Sequence, residues 1–386
     1  MAIPISYNLR NLRLRWGATL MTALGVALTV AVASFILALL SGLHRAFQAS
    51  GNPLNVLVMR KGLSDEVSSS ISRGKFGAIK FLPGIAVNAQ GQPLASGSLV
   101  VVVSLRRRGG DGRANVTLRG LGLQGLALRP GARLVAGHWP QAGRRQIAVG
   151  VAAARQFQKT QLGDRLHFGK GDWRVVGEFQ DHGSAFESEI WAPRDEMAAD
   201  FGRPDFSSVL LRAVSPAAAS ALVRDIESDR RLKLHALTET AYYAQQTSSG
   251  APIAFIGGVI AFIMAIGACF AAMNTMYAAV AYRAREIATL RILGFPRPSI
   301  LLSFVLESVV LTLFGGVLGI AALLPWNGLT TGTLNSTTFS EMVFQLRFTP
   351  HVLADALIFA LVLGLIGGLA PAWHASRENI LTALRG

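Results

Sequence analysis

WGATLMTALGVALTVAVASFILALLSGL, from Trp16 to Leu43, carries no charged residue and is long enough to cross a bilayer. At about 1.5 Å of rise per residue, some twenty helical residues cover a hydrocarbon core of roughly 30 Å. Three further stretches of this kind lie downstream, from Ala251 to Tyr282, Pro298 to Leu324 and His351 to Ala372, and only Glu307 and Asp355 interrupt them. A long polar block, 44–250, separates the first stretch from the other three. This layout predicts an α-helical membrane protein with four transmembrane helices, one plus three. A mixed α/β extracytoplasmic domain is expected as an insertion between the first and second.

Composition agrees. The chain is 51% hydrophobic and 15% charged, with a mean hydropathy of +0.41 that a water-soluble domain of this length rarely shows. The formal net charge of +15 raises the question of nucleic acid. Most of the basic residues, however, are dispersed between Arg45 and Lys233 among most of the acids, and the longest basic run there is Arg106, Arg107 and Arg108, next to Gly109 and Gly110 in a hairpin tip. A phosphate-tracking surface needs a clustered stripe, so nucleic acid is not an expected partner. The bilayer is.

Orientation follows from the short flanking segments, because long domains cross largely regardless of their charge. Arg10, Arg13 and Arg15 precede the first span; Arg283, Arg285, Arg291 and Arg297 fill the second-to-third loop; Arg377 and Arg385 follow the fourth span; the third-to-fourth loop has only Arg347. The positive-inside rule places both termini and the second-to-third loop in the cytoplasm. Trp16, Trp326 and Trp373 suit interfacial anchors. The first apolar run exceeds the apolar core of about 7–15 residues in a cleaved signal peptide, so it reads as an uncleaved signal anchor. Before it, Ile5, Leu9 and Leu12 lie on one face of a short amphipathic segment. The expected division is a cytoplasmic amphipathic segment 1–15, spans 16–43, 251–282, 298–324 and 351–373, and the outer domain with its stalk 44–250. A cytoplasmic loop 283–297, a short outer loop 325–350 and a cytoplasmic tail 374–386 complete it.

Within the outer block, Asn55–Met59, Leu99–Leu105, Asn115–Arg119, Gln146–Val149, Arg165–Phe168, Trp173–Phe179 and Ser208–Arg212 are short runs, mostly β-branched, bounded by Gly, Pro, Asp or Asn. They read as strands. Ala152–Thr160 and Pro216–Arg230 have helical spacing, and Thr238–Ser249 reads as a helix extending the second span outward. The only cysteine, Cys269, lies in the second span, so the block must cohere without an intrachain disulfide.

Several apparent motifs fail on spacing. Gly120, Gly122 and Gly125 spell GxGxxG, but Pro130 follows where a dinucleotide fold requires a helix. Gly163 and Gly169 before Lys170 resemble a phosphate loop one residue too long, with Gly171 where a magnesium-binding hydroxyl belongs. Asp181, His182, Glu187 and Glu189 read as a solvated loop rather than a metal site, because no second histidine is near. Neither a Ser/His/Asp spacing nor a nucleophile elbow argues for catalysis. No cofactor is expected.

In the spans, Gly315 with Gly319 and Gly364 with Gly368 form GxxxG patterns that allow close helix packing. Glu307 sits about nine residues into the third span, where an ionised carboxylate is costly unless it is paired in the bundle or functional.

Arg283–Phe295 (RAREIATLRILGF) followed by Pro298–Gly319 resembles the signature of the FtsX-like permease domain of MacB-type ABC transporters, here 251–386. Gly367–Arg385 is similar to that domain's closing segment, in which a Pro-Ala pair leads to an Ala-Leu-Arg ending. The common proline of that segment is Ile380 here. Leu9–Leu43 resembles the family's first span, and Leu134–Pro140, Leu162–Leu166 and Val175–Phe179 resemble its periplasmic core domain. The resemblance implies a permease of the bacterial inner membrane, a homodimer or heterodimer, that receives ATP-driven motion from a separate nucleotide-binding subunit and relays it to its periplasmic domain. It admits a periplasmic adaptor and an outer-membrane channel as further partners. The chain itself is then not an ATPase.

The loop 283–297 suits the ATPase contact. Its helix Glu286–Leu293 offers Ile287, Leu290 and Leu293 to an apolar cleft and Arg285 and Arg291 to an acidic rim, and Gly294 and Pro296 end it. Two other functions use the same architecture: a membrane-anchored regulator of cell-wall hydrolases, and a sensor with a ligand-binding outer domain.

Overall fold

The β-branched runs of the polar block pair into one ten-stranded mixed sheet, and four long apolar helices form a separate unit, in the computed structural model. It describes residues 16–335, 338 and 340–377. The expected amphipathic segment 1–15 and the end of the tail, 378–386 with Ile380, lie outside the described residues. In chain order the elements are α1 (Trp16–Ser50), β1 (Asn55–Arg60), α2 (Arg73–Ile79), β2 (Ala95–Arg106), β3 (Arg113–Leu121), β4 (Arg133–Gly137) and β5 (Gln146–Gly150). There follow α3 (Val151–Gln156), β6 (Arg165–Phe168), β7 (Gly171–Gln180), β8 (Ile190–Pro193), α4 (Arg194–Phe201), β9 (Ser208–Arg212), α5 (Pro216–Ser228), β10 (Leu234–Thr238) and α6 (Glu239–Gln246). The last third holds α7 (Ala251–Tyr282), α8 (Ala284–Ile292), α9 (Arg297–Leu323), the hairpin β11 (Thr330–Leu334) and β12 (Glu341–Gln345), and α10 (Pro350–Arg377).

The strand order is β10-β1-β9-β2-β3-β8-β5-β7-β4, with β6 on β7. Strand β2 is the joint: Ala95–Ser98 pair with β9, and Leu99–Arg106 pair with β3. Two cores result. Val56, Val58, Val209, Leu211 and Leu234 pack under α2 and α5 through Ile79, Leu222 and Ile226. Leu99, Val116, Leu118, Ile147, Trp173 and Val175 pack with Ala153 of α3 and Met197 of α4. Helix α5 starts where Ser215 caps Ala218 N–H and Pro216 presets the first turn.

All seven expected strands form, most of them longer by a residue or more. The expected helix Ala152–Thr160 stops at Gln156, because Phe157 turns to extended geometry and drops into the core. The expected stalk helix is the short α6 and a 3-10 turn, Thr247–Gly250. The segment 325–350 is more than a loop. Its hairpin joins the sheet unit, which comprises Gly42–Ala251 and Leu329–Gln345. Glu341 accepts from Arg107 Nη2 at 2.7 Å and from Gln156 Nε2 at 2.5 Å, and Ser188 Oγ bonds both the Val343 carbonyl and its N–H.

Among the described residues four helices are long and apolar enough to cross a membrane: Thr19–Ser50, Ala251–Tyr282, Arg297–Trp326 and Pro350–Arg377. Helix α1 continues past Leu43 through His44 and Arg45 to Ser50, where Phe47 stacks on Tyr243.

At the centre of the sheet unit, Arg119 of β3 is 3% exposed. It grips Glu189 through Nε at 2.8 Å and Nη2 at 2.9 Å, and Glu66 through Nη1 at 2.8 Å and Nη2 at 2.9 Å. Ser208 donates to Glu66, and Trp191 Nε1 donates to Glu189. Burial alone raises the Glu66 pKa, but the charge of Arg119 and hydrogen bonds from Arg119 and Ser208 outweigh it and hold Glu66 below the usual glutamate range.

Arg119→Ala strips two buried carboxylates of their counter-charge and is expected to cost about 3–5 kcal/mol. Thermal unfolding of the detergent-solubilised chain measures it; a loss smaller than that of an exposed substitution such as Arg224→Ala would contradict the network's role. Acid gives a second test. A carboxyl with a depressed folded pKa adds stability that is present above its unfolded pKa and lost as pH falls through the folded value. Glu239 opposes this trend, since burial raises its pKa. Stability contributed by Glu66 therefore fades below about pH 4, and Glu66→Gln should lower stability at neutral pH and flatten that acid limb. An acid limb identical in the two proteins would show that Glu66 is not its source.

Candidate functional site

Between α7 and α9 the chain breaks and re-forms as α8. Arg283 leaves helical geometry at φ −104°, ψ 15°, and α8 begins at Ala284 with Glu286 in its first turn and Arg291 in its last, charges that complement the helix dipole. The helix ends because Gly294 adopts φ 92° and Phe295 N–H bonds back to the Leu290 carbonyl at 3.1 Å. Pro296 and Pro298 then start α9.

A buried ion pair fixes this break. Arg283 Nη1 donates to Glu307 Oε2 at 2.9 Å and Nη2 to Oε1 at 3.0 Å, in a fork with both side chains at most 5% exposed. Arg283 is expected only as one of the basic residues that fill the second-to-third loop. It is instead the partner that makes Glu307 tolerable in an apolar helix. The Phe304 ring lies 5.8 Å from the guanidinium.

The expected contact residues divide. Arg285 and Glu286 are exposed, Leu290 and Arg291 are half-buried, and Leu293 and Gly294 are exposed, Leu293 at 66%. Ile287, expected to enter a partner's cleft, is 4% exposed and packs with Met276, Val280, Ile300, Phe304 and Ala375. It holds α8 to its own helices. Ile292, one residue before Leu293 at the helix end, is 62% exposed.

The glycine pairs lie at helix crossings. A Cβ on Gly315 would approach the Ala23 carbonyl to 2.7 Å, and one on Gly319 would meet that of Ala27 at 2.3 Å, so α9 touches α1 backbone to backbone. Gly364 and Gly368 face Thr312 and Ser308 of α9, and Ser308 Oγ donates to the Gly364 carbonyl at 2.9 Å.

The segment 181–189 is not a solvated loop. Asp181 and Glu189 are buried; Glu187 accepts the N–H groups of Asp181 and Gly183, and Asp181 accepts the Ser184 hydroxyl. Burial raises the Asp181 pKa against the Ser184 bond. Among the described residues no group of three or more His, Cys, Asp or Glu side chains could hold a metal ion. The Arg119 cluster and the hairpin anchor at Glu341 escaped the sequence reading, because isolated Arg and Glu residues far apart in the chain carry no periodicity.

Family models match the chain in two segments: the MacB-like periplasmic core domain over residues 19–229 and the FtsX-like permease C-terminal domain over 258–380. The uncharacterized ABC transporter permease YknZ of Bacillus subtilis (strain 168) is 30% identical over 213 residues, covering 51% of this chain and 49% of its own. The macrolide export ATP-binding/permease protein MacB of Rhodopseudomonas palustris (strain HaA2) is 25% identical over 388 residues, covering 94% of this chain and 57% of its own. The chain thus spans about half the length of the curated relatives it matches. The crystal structure of the periplasmic region of MacB from Actinobacillus actinomycetemcomitans aligns at 13% identity and a TM-score of 0.37, over 51% of this chain and 94% of that one. With both family models matched in order along one chain that carries four apolar helices, the chain belongs to the FtsX-like, MacB-type family of ABC transporter permeases.

Proposed function

We propose that this chain is the permease subunit that couples ATP hydrolysis in a separate nucleotide-binding subunit to motion of its sheet domain, driving export of a substrate across the inner membrane or its extraction from it. The observation that carries this reading is the outer face of α8: exposed Ile292 and Leu293 beside Arg285 and Arg291, on a helix held by the Arg283–Glu307 fork. An apolar pair with a basic rim fits an apolar cleft with an acidic border. A load applied to α8 passes to α9 through the fork and through Ile287. In this reading both termini and α8 face the cytoplasm, the sheet domain lies outside, and two permeases pair. A periplasmic adaptor and an outer-membrane channel would extend the same machine.

Orientation is testable with exposed sites. In a Cys269→Ala background, a cysteine at Ser220 on α5 should react with a membrane-impermeant maleimide in intact cells, and one at Thr289 on α8 only after lysis; both positions are exposed. Labelling of position 289 in intact cells would reverse the orientation.

Coupling is testable by severity. Leu293→Asp puts a carboxylate into the proposed apolar cleft, a desolvation cost on the order of several kcal/mol, and should abolish complex formation and permease-stimulated ATP turnover with the co-purified ATPase. Arg291→Ala should cost less and act mainly through salt dependence, as rim charges do. Normal complex yield and turnover for Leu293→Asp would remove α8 as the coupling element.

A further inference from the structure

We propose that the sheet unit carries a binding site for a small amphipathic anion, one acidic group on an apolar and partly aromatic body, where β2 passes from β9 to β3. A cavity of about 550 Å³ opens there, within the range of small-molecule sites. Its walls come from the end of α2 and the following turn, the start of β2, the turn after β3 and the first residues of α4.

The walls are apolar and aromatic. Phe76, Phe206 and Phe81 line the cavity with Leu123; Phe81 is 69% and Leu123 96% exposed, which leaves much apolar surface uncovered. The polar groups are chiefly donors. The Arg194 guanidinium lies over the Phe206 ring at 4.7 Å; its Nη2 bonds Asp195, while its Nη1 is buried with no hydrogen-bond partner among the described residues. Ser96, 3% exposed, likewise has a buried hydroxyl without a partner. Lys80 Nζ sits 4.7 Å from the Phe81 ring centre. Asp195 is the single carboxylate in the lining, and it is already engaged by Arg194 and lies 3.9 Å from Arg73.

A buried donor without a partner is costly; both atoms are sealed by their neighbours rather than open to the cavity, and they become available to an acceptor when the lining side chains shift. An acidic group that draws the Arg194 side chain toward it satisfies Nη1, Ser96 offers a second donor from the same lining, and Lys80 adds charge at the rim. The aromatic walls and Leu123 then cover the apolar body of the same molecule. A neutral apolar molecule leaves both donors unmet, and a bare inorganic anion leaves the walls wet.

The inference goes beyond the coupling reading and does not need it, since the site lies within the sheet unit and is measured without ATP or a partner. The full chain in zwitterionic nanodiscs is titrated calorimetrically with naphthalene-2-sulfonate, against empty nanodiscs. Saturable binding at one site per chain is expected. Naphthalene-2-methanol, with the same body and no charge, and inorganic phosphate, with charge and no body, should each bind at least tenfold more weakly. Arg194→Ala should weaken sulfonate binding about tenfold or more, the scale of one charge-assisted hydrogen bond. Ser96→Ala, which deletes one atom and keeps the fold, should weaken it several-fold. Absence of saturable binding would overturn the proposal. So would equal affinity for the uncharged alcohol or for phosphate, or sulfonate affinity unchanged in both variants.

Discussion

Arg119 takes a full charge out of water, and the sheet unit is arranged around meeting it. Its two carboxylate partners come from opposite halves of the domain: Glu66 follows β1 and is tied to Ser208 of β9, whereas Glu189 precedes β8 and is tied to Trp191. Strand β2 joins those halves through its ladders with β9 and β3. The charge cluster adds a second, side-chain tie across the same joint. Because an unpaired buried ion costs several kcal/mol, the halves cannot separate without exposing the ions to water or leaving them unmatched.

The same constraint recurs in the helix unit under harsher terms, since hydrocarbon offers no water to compensate. Glu307 is admitted into α9 only because Arg283 is drawn out of the loop to meet it. Elsewhere the helices meet through small residues, because lipid tails remove the hydrophobic drive to associate. Gly315 and Gly319 let α9 lie on the α1 backbone, and the Thr22 and Thr275 hydroxyls join α1 to α7 at 2.5 Å. Packing is uneven: 61% of the α9 span is buried inside the protein, against 11% of the α7 span. The position of α8, which follows this thinly packed helix, therefore depends heavily on the fork and on Ile287.

The four spans were legible because twenty apolar residues without charge have few other uses. The strands NVLVM, WRVVGEF and SVLLR were legible because alternation and β-branching mark them in any context. What escaped was set by tertiary context. Strands β4 (RLVAG), β8 (IWAP) and β10 (LHALT) are short, polar or proline-bearing and become strands only because a neighbour offers a ladder. The hairpin of TTGTL and EMVFQ lies in a segment that reads as a loop between two spans. Ile287 and Leu290 look equivalent on a helical wheel, and only the packing of α8 on its neighbours distinguishes the buried one from the half-exposed one. The cavity beside Ser96 draws on five separated segments, which no local pattern brings together.

The clasp between the hairpin and the sheet has a consequence for synthesis. Ser188 and its partner Val343 are 155 residues apart, and Arg107 and Glu341 are 234 apart. At roughly 5–20 residues per second, the ribosome delivers Val343 about 8 to 30 seconds after Ser188. During that interval Ser188, Arg107 and Gln156 have only water to bind, and the third apolar helix must be made before their partners exist. A nascent chain stalled between α7 and β12 would hold a nearly finished domain with an open polar seam, a ready target for quality-control proteases and chaperones.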